Sequence, residues 1–546
     1  MRTRLALILL AIVLAGLPLL GPGPARAETV MVPMRDGVKL ATDFYLPAEG
    51  GPTFPVVAAR SVYGRGKGPT DGNVKRFTGK GYVFVIQDTR GRGGSEGKDM
   101  AFLDDGWGER QDGADTIAWV AQQPWCNGKI GTWGASALGI TQVRMAPTTE
   151  KVACQSIMVA ASDFYGQLSY QGGVFRKSLC EGWLNMQKIP YVVDAWHSHP
   201  TYDDFWKGYN AELRAAEATA PAIHFGGWWD IFNQGTINNF TSRQYHGGEG
   251  AKGNQKLVMG AWVHGPRKHP GDLELRDSFN FDMGKYENRF YEHWLKGVDN
   301  GIMQEPPVSY YTVGDVFDEK APGNEWRTAQ DWPPFPTTET AYYLLEGGLL
   351  STAPSTAAEA KLTYAYDPAD PCPTIGGAEL LLPPGPFDQQ PKLSTRQDVL
   401  TFMTAPLEKP VEITGNVKAR LFVSTDAPDT DFTAKLLDVY PDGKQILMLD
   451  NIRRLKFRNG YEKPEPLEPN KVGEMVIDLW SISLIFNAGH RIGVQVSSSN
   501  YQRFEKNPNT GEDLPGKELR VAHNSVYVDA AHPSAVLLPL RAEQSR

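Results

Sequence analysis

The chain has 546 residues, 41% of them hydrophobic and 22% charged, which is enough to bury more than one core and fill about two to four domains of ordinary size. Its formal charge is −8 with no basic stripe, so the electrostatic footprint of nucleic-acid binding is missing. Cys126, Cys154, Cys180 and Cys372 show no CxxC spacing, which argues against zinc clusters and redox pairs and leaves disulfides open in any of three full pairings.

In chain order, the first residues read as a leader. Arg2 and Arg4 precede an apolar run over 5–20 that contains Pro18, and Ala25-Arg26-Ala27 supplies a small-residue cleavage pattern. Segment 1–27 is predicted to be a signal peptide cut after Ala27, giving a secreted or periplasmic chain of charge −11 with no membrane association after cleavage. Residues 30–47 alternate around Asp36-Gly37 as a β-hairpin. Buried-type strands are expected at 54–59 and 82–87 with a helix between them, then a helix over 107–122, a strand at 129–133 and a helix over 137–145 stopped by Pro147. Further apolar strands are expected at 152–161, 222–226 and 256–262. Strands alternating with helices predict a mostly parallel sheet covered on both faces.

Segment 162–220 breaks the alternation. It carries 11 aromatics in 59 residues, well above the chain-wide 11%, and reads as a helical cap, or lid, inserted in an α/β core that spans 28–161 and 221–330. A peripheral helical subdomain with its own aromatic core is the rival reading. The WPPFP run at 332–336 is a rigid connector, and short alternating runs follow, such as Val417, Ala419, Leu421, Val423 and Ile492, Val494, Val496. Region 331–546 is therefore expected to be an all-β sandwich or jelly roll.

The stretch TWGASALGITQ places Ser136 at a sharp strand-to-helix junction, with Gly134 two positions earlier. A hydroxyl there stands at the carboxyl end of the sheet, where α/β proteins place ligand crevices. The usual glycine two places after the serine is Leu138 here, and the glycine falls at Gly139; a plain helix-capping serine is the bland alternative. A serine nucleophile needs a base and an acid to hold that base, in the order Ser, Asp, His on loops after later strands. Strand 222–226 runs into GWWD, giving Asp230, and strand 256–262 runs into VHG, giving His264. His269 and His293 are weaker rivals for the base. The backbone N–H of Ala137, at the helix start, is the expected first oxyanion donor. The loop RSVYGRG after the strand at 54–59 has no HGGG run, but it offers the phenol of Tyr63 as a second donor, or as an aromatic plug. Neighbouring aromatics Trp133, Trp229 and Phe232, with Phe164 and Tyr165 at the start of the cap, are the expected substrate contacts.

The motifs SVYGRG, YVFVIQDTRGRGGSEG, WCNGKIGTWGASALGITQ, FGGWWDIF, GAWVHG and DPADPCPTIGG, in that order, resemble the CocE/NonD hydrolases, the family of cocaine esterase, X-Pro dipeptidyl-peptidase and α-amino acid ester hydrolases. The resemblance implies an α/β-hydrolase core, a helical cap and a C-terminal jelly roll, with a Ser136–His264–Asp230 triad and Tyr63 in the oxyanion hole. It implies no metal or cofactor, and a small-molecule ester or amide as substrate. Two departures qualify it. Ala137 stands where the family usually has an aromatic, which should widen the acyl pocket. Ile231, Phe232 and Asn233 stand where members that bind a free amino group place carboxylates, although Asp163 or Asp194 could supply a charge.

The residues and the resemblance together predict ester cleavage through an acyl-enzyme. An X-Pro dipeptidyl-peptidase or β-lactam/amino-ester acylase is the alternative within the family. Outside it stand a metal-dependent hydrolase on His197, His199, Asp203 and Asp204, and a non-catalytic exported binding protein. GRGGSEG, at 91–97, lacks the ending of a phosphate loop and reads as a tight turn beside the crevice.

Overall fold

Strands that are apolar on both faces need cover on both sides, and the chain supplies it. The computed structural model describes residues 28–66 and 70–542, so the expected leader at 1–27 lies outside the described residues. The first half forms a ten-stranded sheet from β1 (Glu28–Pro33), β2 (Lys39–Tyr45), β3 (Phe54–Ser61), β4 (Val83–Asp88), β5 (Cys126–Ala135), β6 (Val152–Met158), β7 (Ala222–Gly227), β8 (Gln255–Gly260), β9 (Val308–Thr312) and β10 (Glu325–Ala329). The spatial order is β1-β2-β4-β3-β5-β6-β7-β8-β9-β10. Neighbours from β4 through β9 pair in parallel, while β1, β2 and β10 add antiparallel edges.

Helices α1 (Thr70–Thr78), α2 (Asp112–Ala121) and α3 (Ala137–Met145) lie in the first part of the core. The cap holds α4 (Lys177–Met186), α5 (Tyr191–His197) and α6 (Asp204–Lys207), and the core resumes with α7 (Asn233–His246) and α8 (Met283–Lys296). Side chains on β3 alternate between faces, as the strand period requires. Val56 and Ala58 pack with Ile117 and Val120 of α2 and Met145 of α3. Val57 and Ala59 pack with Phe77 of α1 and Phe290 of α8. The helix expected over 107–122 starts only at Asp112, because Gly108 holds φ 112°, outside the helical range, and Trp107 before it lies against the buried Arg144 guanidinium, 4.2 Å from its carbon.

Segment 162–220 contains helices and no strand among its residues, and its aromatic cluster is continuous with Ile140 and Val143 of α3 and with Ile231 and Phe232 of the core. It is thus a roof on the core with a dense aromatic interior of its own.

The second half, from Thr337–Leu345 to Ala535–Arg541, is an eleven-stranded β network. Val411–Thr425 pairs with Gly473–Phe486, and Asp431–Val439 lies between Gln445–Arg454 and Arg491–Ser497. The alternating Val417, Ala419, Leu421 and Val423 are all buried, as are Ile492, Val494 and Val496. Their cluster runs without a break into Ile237 and Phe240 of α7 and Leu257 and Met259 of β8, so one apolar core fastens the jelly roll to the α/β unit. All four cysteines are free thiols, and the expectation that disulfides could form is corrected here. Cys154, Cys180 and Cys372 are buried in three separate apolar clusters, each sealed from the others. No helix among the described residues is long and apolar enough to cross a membrane.

Candidate active site

The junction of β5 and α3 is a tight elbow. Ser136 has φ 57° and ψ −122°, a conformation that L residues rarely adopt and that persists only where the surroundings hold it. Its N–H donates to Met158 O at 2.8 Å, extending the pairing with β6, and its C=O accepts the N–H groups of Gly139 and Ile140 as the helix begins. A side chain at Gly134 would strike Cβ of Leu138 and press on its carbonyl, and one at Gly139 would come within 2.9 Å of Met158 O. The displaced glycine at 139 therefore lets α3 pass close to the end of β6.

Asp230 and His264 come from the loops after β7 and β8, which touch backbone to backbone. Trp228 N–H donates to Gly260 O and Trp229 N–H to Trp262 O, an approach that any β-carbon at Gly227 would block. Asp230 is wholly buried and its Oδ1 accepts the N–H of Phe232 at 2.8 Å. Its Oδ2 lies 2.5 Å from His264 Nδ1, and His264 Nε2 lies 2.8 Å from Ser136 Oγ. A carboxylate only accepts, so Nδ1 carries the ring proton, Nε2 presents its lone pair, and the Ser136 hydroxyl donates to it. The arrangement can take a proton from a hydroxyl and stabilise the resulting imidazolium.

Ala137 opens α3, where the first backbone N–H groups have no acceptor within the helix. Tyr63 stands on the loop after β3, 39% exposed, and its hydroxyl oxygen accepts the indole N–H of Trp183 from α4 at 3.3 Å.

Two spaces flank Ser136. The first is an apolar cavity of about 30 Å³ bounded by Phe102, Ser136, Ala137, Ile140, Ile231 and Phe232 of the core, by Leu168, Leu179, Cys180, Trp183 and Trp196 of the cap, and by Leu380 of the jelly roll. The small residue at 137 does not produce a large pocket, because the rings of Phe102, Trp183, Trp196 and Phe232 fill the room. Burial pushes the Cys180 thiol up to about 12, so it stays protonated and acts as an apolar wall. The second space is a groove of about 780 Å³ that includes Ala135 and Leu138, the near neighbours of Ser136, together with Tyr63, Trp133, Met186, Lys188 and Tyr191. Gly91 and Arg92 of the GRGGSEG turn also line it, which puts that turn beside the crevice.

The expected substrate contacts separate. Phe232 lines the cavity, with its ring edge-on to His264 at 5.9 Å, and Trp133 lines the groove. Trp229, Phe164 and Tyr165 line neither space, which corrects their expected contact with substrate. Trp229 donates its indole N–H to Met448 O of the jelly roll, Phe164 stacks on Tyr209, and the Tyr165 hydroxyl donates to Pro200 O inside the cap. Asp194 is exposed and Asp163 lies in the cap, where burial and then Glu212 push its carboxyl up to about 7; neither borders the cavity. His197 packs edge-on to Phe175, and His199 stacks on Phe205 while bonding Asp203, so the two rings face different neighbours. Phe102, Cys180, Trp183 and Leu380 were not anticipated. Leu380 follows the DPADPCPTIGG motif by three residues, the one sequence signal that pointed toward it.

A hydroxyl, an imidazole and a buried carboxylate hydrogen-bonded in line at the carboxyl edge of an α/β sheet define a class of protein, the serine hydrolases. Comparison with known proteins narrows the class. Residues 36–191 and 184–266 match the model of the X-Pro dipeptidyl-peptidase S15 family, and residues 300–537 match that of the X-Pro dipeptidyl-peptidase C-terminal non-catalytic domain. Cocaine esterase of Rhodococcus sp. (strain MB1 Bresler) is 32% identical over 94% of this chain and 98% of its own. Among solved structures, an aminopeptidase from the marine sediment archaeon Thaumarchaeota archaeon superposes with a TM-score of 0.82 at 26% identity, covering 97% of this chain and 99% of that one. An α-amino acid ester hydrolase superposes at 0.80 and 26%, with the same coverage. The chain belongs to the CocE/NonD family and is a serine hydrolase acting on esters.

Proposed function

We propose that this chain is an exported esterase that cleaves esters of short apolar acids through an acyl-enzyme on Ser136. The observation that carries the reading is the unbroken line Ser136 Oγ, His264 Nε2, His264 Nδ1, Asp230 Oδ2 beside an apolar cavity. His264 takes the hydroxyl proton as Ser136 Oγ bonds to the ester carbonyl carbon, and Asp230 stabilises the imidazolium. Ala137 N–H and the Tyr63 hydroxyl hold the oxygen on which negative charge gathers. Collapse of the intermediate breaks the ester C–O bond, and the alcohol leaves through the groove with the proton from His264. Water then repeats the sequence and frees the acid.

The cavity supports an uncharged acyl group. An amino-ester or X-Pro substrate brings an ammonium, and no carboxylate borders the cavity among the described residues, so that charge would be buried without a partner. A cavity of about 30 Å³ is far below the ~150 Å³ that accommodates benzene, which favours short chains. Rates on p-nitrophenyl acetate, butyrate and benzoate, an aminoacyl ester and an X-Pro anilide test this. The acetate and butyrate esters should be fastest; a preference for the X-Pro anilide contradicts the reading. The export component rests on the 1–27 leader, and N-terminal sequencing of the secreted or periplasmic protein should begin at Glu28.

A further inference from the structure

Tyr63 is the least confined member of the site. It is 39% exposed, it stands on a loop, and an oxyanion donor must aim one proton in one direction. A phenol left to solvent divides that proton between orientations and between water partners. Trp183 removes the choice. An indole N–H can only donate, so the Tyr63 oxygen meets it with a lone pair and its own proton must point elsewhere. A hydrogen bond accepted by a hydroxyl also polarises it, making it a better donor to the next acceptor.

The indole is itself held. It stacks on Phe102 with centroids 5.6 Å apart and planes 18° from parallel, and Phe102 meets Phe164 edge-on at 5.8 Å. A second strut joins the same two segments. Arg92 donates through Nε to Val62 O at 2.6 Å, next to Tyr63, and through Nη1 to Gln187 O at 2.6 Å, just past the end of the helix that carries Trp183. The spacing between Tyr63 and the end of α4 is thus fixed independently of the indole. Trp183 also lines the acyl cavity, so one side chain of the cap serves both the acyl pocket and the oxyanion donor of the core.

We propose that Trp183 is a positioning residue: its N–H turns the Tyr63 proton toward the carbonyl oxygen held over Ser136 and thereby couples a closed cap to an armed oxyanion hole. This rests on the reading of Tyr63 as an oxyanion donor. Because the charge on that oxygen grows toward the transition state, the coupling acts on kcat and leaves KM nearly alone.

The test is a double-mutant cycle on p-nitrophenyl butyrate with loss of the Trp183 N–H, Tyr63→Phe and both together. Trp183→Phe keeps a ring on Phe102 and deletes the N–H; it should lower kcat about tenfold with KM within about twofold. In the Tyr63→Phe background the N–H should be deleted with the ring volume kept, by 3-benzothienylalanine at 183, and this should alter kcat by less than about twofold. Replacing Trp183 by 3-benzothienylalanine, which has the shape of tryptophan without the N–H, should reproduce the loss and guards against a folding defect in the phenylalanine variant. Equal losses in both backgrounds, a loss confined to KM, or full activity of the benzothienyl protein would overturn the proposal while leaving Tyr63 in its role. Full activity of Tyr63→Phe alone would remove Tyr63 from the oxyanion hole, and the inference with it.

Discussion

The two spaces beside Ser136 differ in size and in the residues that line them. On one side lies a cavity of about 30 Å³ walled by apolar side chains from the core, the cap and the jelly roll. On the other lies a groove of about 780 Å³ with lysine, glutamine and tyrosine among its residues, open at the exposed Met186 and Tyr191. A narrow apolar cavity discriminates by volume, because a surplus methylene meets its walls. A wide groove of mixed polarity tolerates many shapes and discriminates weakly. In the proposed mechanism the first side selects the acid and the second releases the alcohol, so the enzyme should be strict about one half of its substrate and permissive about the other.

The largest effect should come from the centre that both sides share. Ser136→Ala should lower kcat by about 10⁴- to 10⁶-fold for every ester, read by single-turnover kinetics; a surviving preference pattern at near-normal rate would show that neither space serves this hydroxyl. Tyr63→Phe should come next, roughly a hundredfold loss in kcat that is the same for all acids and all alcohols. Filling the cavity should break the symmetry between the sides. Cys180→Leu should reduce kcat/KM for butyrate relative to acetate by about tenfold or more, without altering the ranking of leaving groups at constant acid. Trp133→Ala, in the groove, should do the reverse, with changes of roughly two- to fivefold that depend on the alcohol alone.

A control outside both spaces should touch neither preference. His224 on β7 is wholly buried with Nε2 3.0 Å from Gln255, and burial, followed by the nearby Arg243, lowers its pKa from 6.5 to about 3. The unfolded chain takes up a proton near pH 6.5 that the folded chain refuses until about pH 3, so stability falls as the pH drops through that window, by about 1.4 kcal/mol per unit. His224→Gln should flatten that slope in urea melts at pH 7 and pH 5 and leave substrate ranking unchanged.

Most of the frame was legible in sequence because its signals are local. The helix over 137–145 coincides with α3, since Gly134, Ser136 and Pro147 punctuate it, and the strands before Asp230 and His264 announce themselves as apolar runs. The aromatic contacts were less legible, because a ring beside a functional residue in sequence can point to either face. Trp229 adjoins Asp230, yet it turns away to bond Met448 across the jelly-roll interface. The cavity itself was illegible. Its walls come from residues as distant as Phe102 and Leu380, and only tertiary packing brings them together. The cysteines teach the same lesson from the other direction: four cysteines in a sequence permit disulfides, but three of these four thiols are buried in separate apolar clusters.

Labelling with a fluorophosphonate probe tests the central claim most directly, because the reagent reacts only with a hydroxyl whose proton has been taken by a neighbouring base. Peptide mapping of the labelled protein should find one adduct, on Ser136, abolished in Ser136→Ala and strongly slowed in His264→Ala. An adduct on another serine, or full esterase activity in a protein that takes no label, would contradict the account.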